Sequence, residues 1–232
     1  MGISYNPSIV TNGLVLCLDA GNAKSYPGSG TTWTDLSGRG NNGTLVNGPT
    51  YSSANGGSLV FDGVNDGVQL AGTNFSLNQM TISSWNFSSN YVQNGFMFEK
   101  TTNGSVNTQY SLFFNGSSSS NLYYRTYGLS TTDLIVSNAN SGVVNNNWNN
   151  VVATWDGTNK RIYVNGILRA TSANLTGTIT QNSTGAAYIG IYGNFGGYPF
   201  NGRIAQTQIY NRALTASEIQ QNFNALRGRF GI

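Results

Sequence analysis

Along most of the chain, apolar and polar positions alternate in short runs with a period of two; only the last stretch carries a period near 3.6. Trp148 to Ala170 is the clearest example. Val151, Ala153 and Trp155 fall on one side of its first run, with Val152 and Thr154 on the other. Asp156-Gly157-Thr158-Asn159 then reverses the chain into Arg161-Ile162-Tyr163-Val164, and Asn165-Gly166 reverses it again into Ile167-Leu168-Arg169. Asn-Gly between β-branched and aromatic residues signals a type I′ hairpin, because both central residues of that turn need positive φ. The stretch predicts an antiparallel meander.

The same reading predicts strands elsewhere. Leu14 to Asp19 is a near-continuous apolar run, as expected of a strand buried on both faces. Met80 to Phe87 alternates, setting Met80, Ile82 and Ser84 opposite Thr81, Ser83 and Trp85. Further strands are expected at Gly95 to Lys100, Gln109 to Phe114, Leu122 to Tyr127, Leu134 to Ser137, Ala186 to Tyr192 and Gly202 to Tyr210. Loops are expected at Asn103-Gly104, at Ser117 to Ser120 and at Gly193 to Tyr198. Nine Asn-Gly pairs punctuate the chain at irregular intervals. Many short strands with turn chemistry between them predict a sandwich, and the uneven spacing argues against a repeat array.

One helix closes the pattern, near residues 216–227. Thr215 and Glu218 have the spacing of a capping box, Leu214 and Ile219 that of a hydrophobic staple. Ile219, Phe223 and Leu226 make one apolar face, Arg227 suits the negative end, and Gly228 is expected to terminate the helix.

Composition narrows the class. Charged residues are 8%, against about 25% in ordinary globular proteins, so Asn, Ser, Thr and Gly must keep the surface soluble. An apolar content of 38%, with 12% aromatic, excludes disorder. Net charge is +3 and the eleven cations form no basic run, which argues against a nucleic-acid partner. The lone Cys17 sits in an apolar run and reads as a small buried hydrophobe. No stretch approaches the ~18 apolar residues of a membrane span, and the residues after Met1 do not read as a signal peptide.

Several segments carry a family resemblance. "WNNVVATWDG" followed by "YVNG" resembles the core hairpin of concanavalin A-like jelly rolls, in the laminin-G-like and pentraxin-like branch. "GLVLCLDAGN", "WTDLSG", "NGTL" and "FDGVND" are similar to the front half of laminin-G-like domains, especially those of tailed-bacteriophage structural proteins. "FNGRI" and "IYNRALTASEI" resemble the closing segment. The resemblance covers roughly residues 13 to 227. It implies an all-β jelly-roll sandwich of two antiparallel sheets with one short C-terminal helix. Residues 13–232 would form a single domain, and residues 1–12 either an edge segment or an anchoring arm.

The functional expectation follows from that branch: a non-enzymatic virion protein, such as a head-decoration, fibre or tail-associated component. Its partners would be capsid, fibre or tail subunits, with oligomers in the particle; it would be made in host cytoplasm without a signal peptide. The alternative is a carbohydrate-binding lectin module for host or glycan adhesion. Enzymatic chemistry has little to work with. Retaining glycoside hydrolysis uses two carboxylates about 5 Å apart. The chain has only Glu99, Glu218 and six Asp, lacks the E-x-D-x-x-E pattern of jelly-roll glucanases, and contains no His for a triad or a His-ligated metal.

No cofactor is required, although the family often holds a structural Ca²⁺. Asp62 and Asp66 are the candidate ligands, with a self-bonded turn as the alternative reading. Ala205 stands where many relatives carry an acidic residue. Sugar stacking needs exposed aromatics; the candidates are Tyr192, Phe195 and Tyr198 around a Gly-rich loop, with Trp33 and Tyr91. Trp85, Trp148 and Trp155 lie within strand patterns and are expected in the core.

Overall fold

In the computed structural model, Asn165 and Gly166 both have positive φ, 53° and 76°, as the type I′ turn requires. The structure describes residues 8–70, 75–91, 95–101, 108–116, 121–181, 185–193, 195 and 197–232. The loops expected at Asn103-Gly104 and Ser117 to Ser120, residues 1–7, and Asn194 and Gly196 lie outside the described residues.

Numbered along the chain, the strands are β1 (Leu14–Asp19), β2 (Thr32–Trp33), β3 (Gly43–Val46), β4 (Thr50–Ser52), β5 (Ser58–Asp62), β6 (Gly67–Leu70), β7 (Met80–Ser88) and β8 (Gly95–Thr101). They continue as β9 (Thr108–Asn115), β10 (Asn121–Thr126), β11 (Asp133–Val136), β12 (Asn147–Trp155), β13 (Lys160–Val164), β14 (Ile167–Thr171), β15 (Ala187–Ile189) and β16 (Asn201–Tyr210). A one-turn helix, α1 (Asn138–Ser141), precedes β12, and α2 (Ala216–Phe230) ends the fold. The strands form two antiparallel sheets. The first runs β14-β13-β12-β7-β16-β5-β4, with β1 also on β16; the second runs β11-β10-β9-β8-β15-β6-β3-β2.

Alternation decides what lies between them. Met80, Ile82, Val151, Ala153 and Trp155 from the first sheet meet Phe98, Tyr110, Leu112, Leu122 and Tyr124 from the second in one core. β1 is buried on both sides, Leu16 and Leu18 facing this core while Leu14 and Cys17 face outward under other elements. Two lysines also occupy inward positions. Lys100 lies opposite Tyr110 and Ala187, and Lys160 opposite Trp155. Lys100 Nζ donates to the carbonyls of Thr101 and Gly185. Lys160 Nζ donates to the carbonyls of Thr131 at 2.9 Å and Thr132 at 2.6 Å, tying the first sheet to the β10–β11 connection of the second. Burial lowers both lysines to about 8.

The outer face of the first sheet is roofed. Thr215 and Glu218 complete the capping box, and Arg212 grips Glu218 through two further bonds of 2.6 and 2.9 Å. α2 lays Phe230 and Phe223 on Trp85, with ring centroids 4.3 and 5.6 Å apart, and Trp148 joins the same layer. Leu214 and Ile219 pack with Val10, Val152 and Tyr163. The helix continues through Gly228, where termination was expected, to Phe230, and Gly231 caps it at φ 72°. Tertiary contact outweighs the glycine's poor propensity: Phe230 reaches Trp85, and Arg229 reaches Asp19 at 2.6 Å. Residues 8–12 run beside the helix, with Val10 N–H donating to Asn222 Oδ1 and the Gln221 amide donating to the Ser8 carbonyl. Among the described residues, no helix is long and apolar enough to cross a membrane.

Candidate functional site

With the outer face of the first sheet roofed, the outward face of the second sheet remains; its middle is covered as well, Phe96, Phe113, Glu99 and Ser111 being buried, and its register sorts it into rows. Thr32, Thr44, Gln69, Tyr188, Glu99, Ser111, Arg125 and Asp133 are successive cross-strand partners, one from each of the eight strands. Beside this polar row runs an apolar one, Phe96, Phe113, Tyr123 and Ile135. A bulge in β8 between Phe96 and Phe98 turns Met97 and Phe98 both inward and leaves Phe96 outward. Phe96 stacks on Phe113 at 4.4 Å with nearly parallel rings, and Phe113 on Tyr123 at 5.1 Å.

The loop after β15 closes over the near end of these rows. The Tyr192 N–H donates to the Gly197 carbonyl at 3.0 Å. Tyr192 lies 5.1 Å from Phe96 and 5.6 Å from Tyr198, edge to face with the latter. Tyr198 is 51% exposed. Phe195 and Tyr198 both hold left-handed backbone, φ 63° and 50°, which bulky L residues rarely adopt. Phe195 turns its edge to Tyr188, 5.7 Å away, and sits over Gly67.

The polar row is tightly held. Arg125 forms a bidentate pair with Asp133, Nε to Oδ1 at 2.7 Å and Nη2 to Oδ2 at 2.8 Å, and its guanidinium lies 5.1 Å from the Phe113 ring centroid. Among the described residues, Nη1 of Arg125 has no partner. Glu99 is buried; it accepts from the Thr108 hydroxyl at 2.5 Å and from the Gly193 N–H, so the carboxyl anchors the aromatic loop to β8. Burial pushes Glu99 up to about 7, against the pull of those donors and of Arg125. Between Glu99 and Arg125, the buried Ser111 Oγ finds no partner among the described residues.

The expected residues divide. Tyr192 and Tyr198 meet edge to face on one loop, with Tyr198 the exposed ring, whereas Phe195 of the same loop turns away onto Tyr188 and is half-buried. Trp33 and Tyr91 are interior, a correction to their expected exposure. Trp33 alternates with exposed Thr32 and points inward opposite Gly43, with 0% of its surface exposed. Tyr91 packs 4.7 Å from Phe114, its hydroxyl donating to Asn86 Oδ1 and accepting from Asn149. Trp85, Trp148 and Trp155 are buried, as expected.

Asp62 and Asp66 flank the aromatic loop in a hydrogen-bonded turn. Asp62 Oδ1 accepts from Val64 N–H at 2.8 Å, and Asp66 Oδ2 from Asp62 N–H at 3.0 Å. Burial raises Asp66. No group of three acidic, His or Cys side chains forms among the described residues.

Residues 62–220 match the family model described as the concanavalin A-like lectin/glucanases superfamily. The chain belongs to that family. Among curated proteins, none matches the chain in sequence. Domain 4 of AbnA, a GH43 extracellular arabinanase of Geobacillus stearothermophilus solved with arabinotriose, is similar with a TM-score of 0.67 at 17% identity, over 90% of this chain and 97% of that one. The receptor-binding domain of botulinum neurotoxin type G gives 0.63 at 16% identity, over 91% of this chain and 51% of the other. Trypanosoma rangeli sialidase gives 0.64 at 18% identity, over 94% of this chain and 33% of the sialidase. The chain thus corresponds to a whole domain of the first, about half of the second and a third of the third. At these identities the likeness is one of fold.

Proposed function

We propose that the chain is a non-catalytic carbohydrate-binding module that receives glycan on the outward face of its second sheet. The observation that carries this reading is the aromatic loop: Tyr198 is half-exposed on strained backbone, edge to face with Tyr192, at the end of a stacked Phe96–Phe113–Tyr123 row. Strain of this kind persists where surrounding structure holds it, and here it turns a flat apolar ring toward solvent. Further along the row, Arg125, over the Phe113 ring at 5.1 Å, offers Nη1 as a donor, and the Asp133 carboxylate retains lone pairs to accept. A pyranose or furanose presents that combination, an apolar face with a rim of hydroxyls. A family of lectins and glucanases, and a similar domain solved with arabinotriose, support the reading.

Catalysis is poorly served. Glu99 and Asp133 are three strands apart in one row, about 14 Å by ordinary strand spacing, beyond the roughly 5–9.5 Å of paired glycosidase carboxylates. Glu99 is buried with both oxygens engaged, and Asp133 is locked to Arg125. The finer placement, on a bacteriophage particle among capsid, fibre or tail subunits, rests on motif resemblance alone; mass spectrometry of purified particles tests it.

Glycan-array binding followed by calorimetry on the best ligand tests the module. Tyr198→Ala is expected to weaken that ligand about tenfold, roughly 1.4 kcal/mol, with only a small drop in melting temperature. An array without a hit, or a Tyr198→Ala affinity equal to wild type, overturns the proposal.

A further inference from the structure

We propose that this face selects uncharged glycans over carboxylate-bearing ones, and that Asp133 is the residue that sets the choice; the inference rests on the carbohydrate reading above. The strands of the second sheet carry four charged residues, Glu99, Lys100, Arg125 and Asp133. Lys100 is on the core side, in register with Tyr110, and its ammonium is spent on backbone carbonyls. Arg125 is therefore the one cation these strands turn to the face, in a row with two acids.

An arginine recognises a ligand carboxylate best through a two-pronged contact in which its charge is unmatched. Here the Nε/Nη2 edge and the charge are already taken by Asp133, at 2.7 and 2.8 Å, and both side chains are only half-buried, so the pair meets the surface. What remains, chiefly Nη1, suits a hydroxyl oxygen. Asp133 in turn accepts from a hydroxyl and repels a carboxylate. Glu99, three strands from Asp133 along the row, is buried with both oxygens engaged and leaves the choice to Asp133. Lys160 acts on Asp133 from the inward side, where a ligand does not reach it: it is buried under Tyr124, 5.7 Å from that ring centroid, with its protons on Thr131 and Thr132. Stacking on Tyr198 and Tyr192 is indifferent to charge. Discrimination thus falls to the Arg125–Asp133 pair.

The experiment compares matched glycans, each neutral array hit with the counterpart in which one hydroxymethyl is oxidised to a carboxylate. Wild type is expected to bind the neutral member at least about tenfold more tightly. Asp133→Asn keeps the side-chain shape and frees the guanidinium, so it should gain about tenfold for the carboxylated member and lose affinity for the neutral one. Arg125→Lys added to Asp133→Asn should remove that gain, because an ammonium lacks the planar fork. Circular dichroism confirms that each variant is folded. Wild-type binding that favours the carboxylated member, or treats both alike, overturns the inference while leaving the module a lectin. Binding to neither member overturns both.

Discussion

Tyr198 and Phe195 hold a backbone region that costs an L residue roughly 1–2 kcal/mol, and the contacts around them repay it. One of those contacts is a missing side chain. Gly67 opens β6 beneath the loop, and a Cβ there would lie 2.6 Å from Ile191 Cγ2 and 2.8 Å from Phe195 Cε1. Gly67→Ala is therefore expected to destabilise by about 1–3 kcal/mol and to displace the aromatic loop, lowering melting temperature and glycan affinity together. Tyr198→Ala should lower affinity with only a small drop in melting temperature, from losing the ring's contacts with Tyr192 and Phe96. Measuring both quantities for both variants separates support of the loop from contact with the ligand; equal melting temperatures for Gly67→Ala and wild type would contradict the packing argument.

Among the elements, α2 shows where local sequence rules yield. Its start was legible, because the capping box and the staple are local chemistry. Its end was not: Gly228 looks like a stop, and the reason it is not one is Phe230 on Trp85, a contact with a strand about 145 positions earlier. Phe230→Ala should cost about 3 kcal/mol in denaturant unfolding. Gly228→Ala should add roughly 0.5–1 kcal/mol, since the position is helical and a Cβ there meets nothing within 4 Å. A destabilised Gly228→Ala would mean that the last turn is not helical in solution.

The same distinction governs the site. Alternation placed the strands and the turn chemistry joined them, so Tyr192, Phe195 and Tyr198 could be grouped from one loop. Phe96 and Phe113 were not legible because the bulge in β8 breaks its alternation and both strands are buried on both sides, so a period of two does not tell the inward aromatics from the outward ones. The Arg125–Asp133 pair needs the β10–β11 register, and Trp33 and Tyr91 went astray because a short strand or a loop aromatic carries no pattern that reports burial.

For the molecule as a whole, three buried charges act on stability in opposite pH ranges. Glu99 is raised to about 7 from an ordinary 4.5, so between those values the folded state holds the extra proton and stability falls as pH rises. Lys100 and Lys160 are lowered to about 8 from 10.5, so between about pH 8 and 9 the unfolded chain holds the extra protons and stability rises with pH, until Cys17, raised from 9.0 to about 12, and the buried tyrosines oppose it. Unfolding free energy should therefore pass through a minimum between about pH 7 and 8. Glu99→Gln should flatten the acid arm, and Lys160→Met should reduce the alkaline one. A bell-shaped profile with its maximum near neutrality would rule this out.

The roof that α2 and residues 8–12 make over the first sheet also gives the domain a back and a front. Both described ends of the chain leave from the back, while the stacked rings and the ion pair look the other way. A tag, bead or neighbouring domain joined at either end would therefore hold the protein with its aromatic face toward solution, so tethering need not compete with capture.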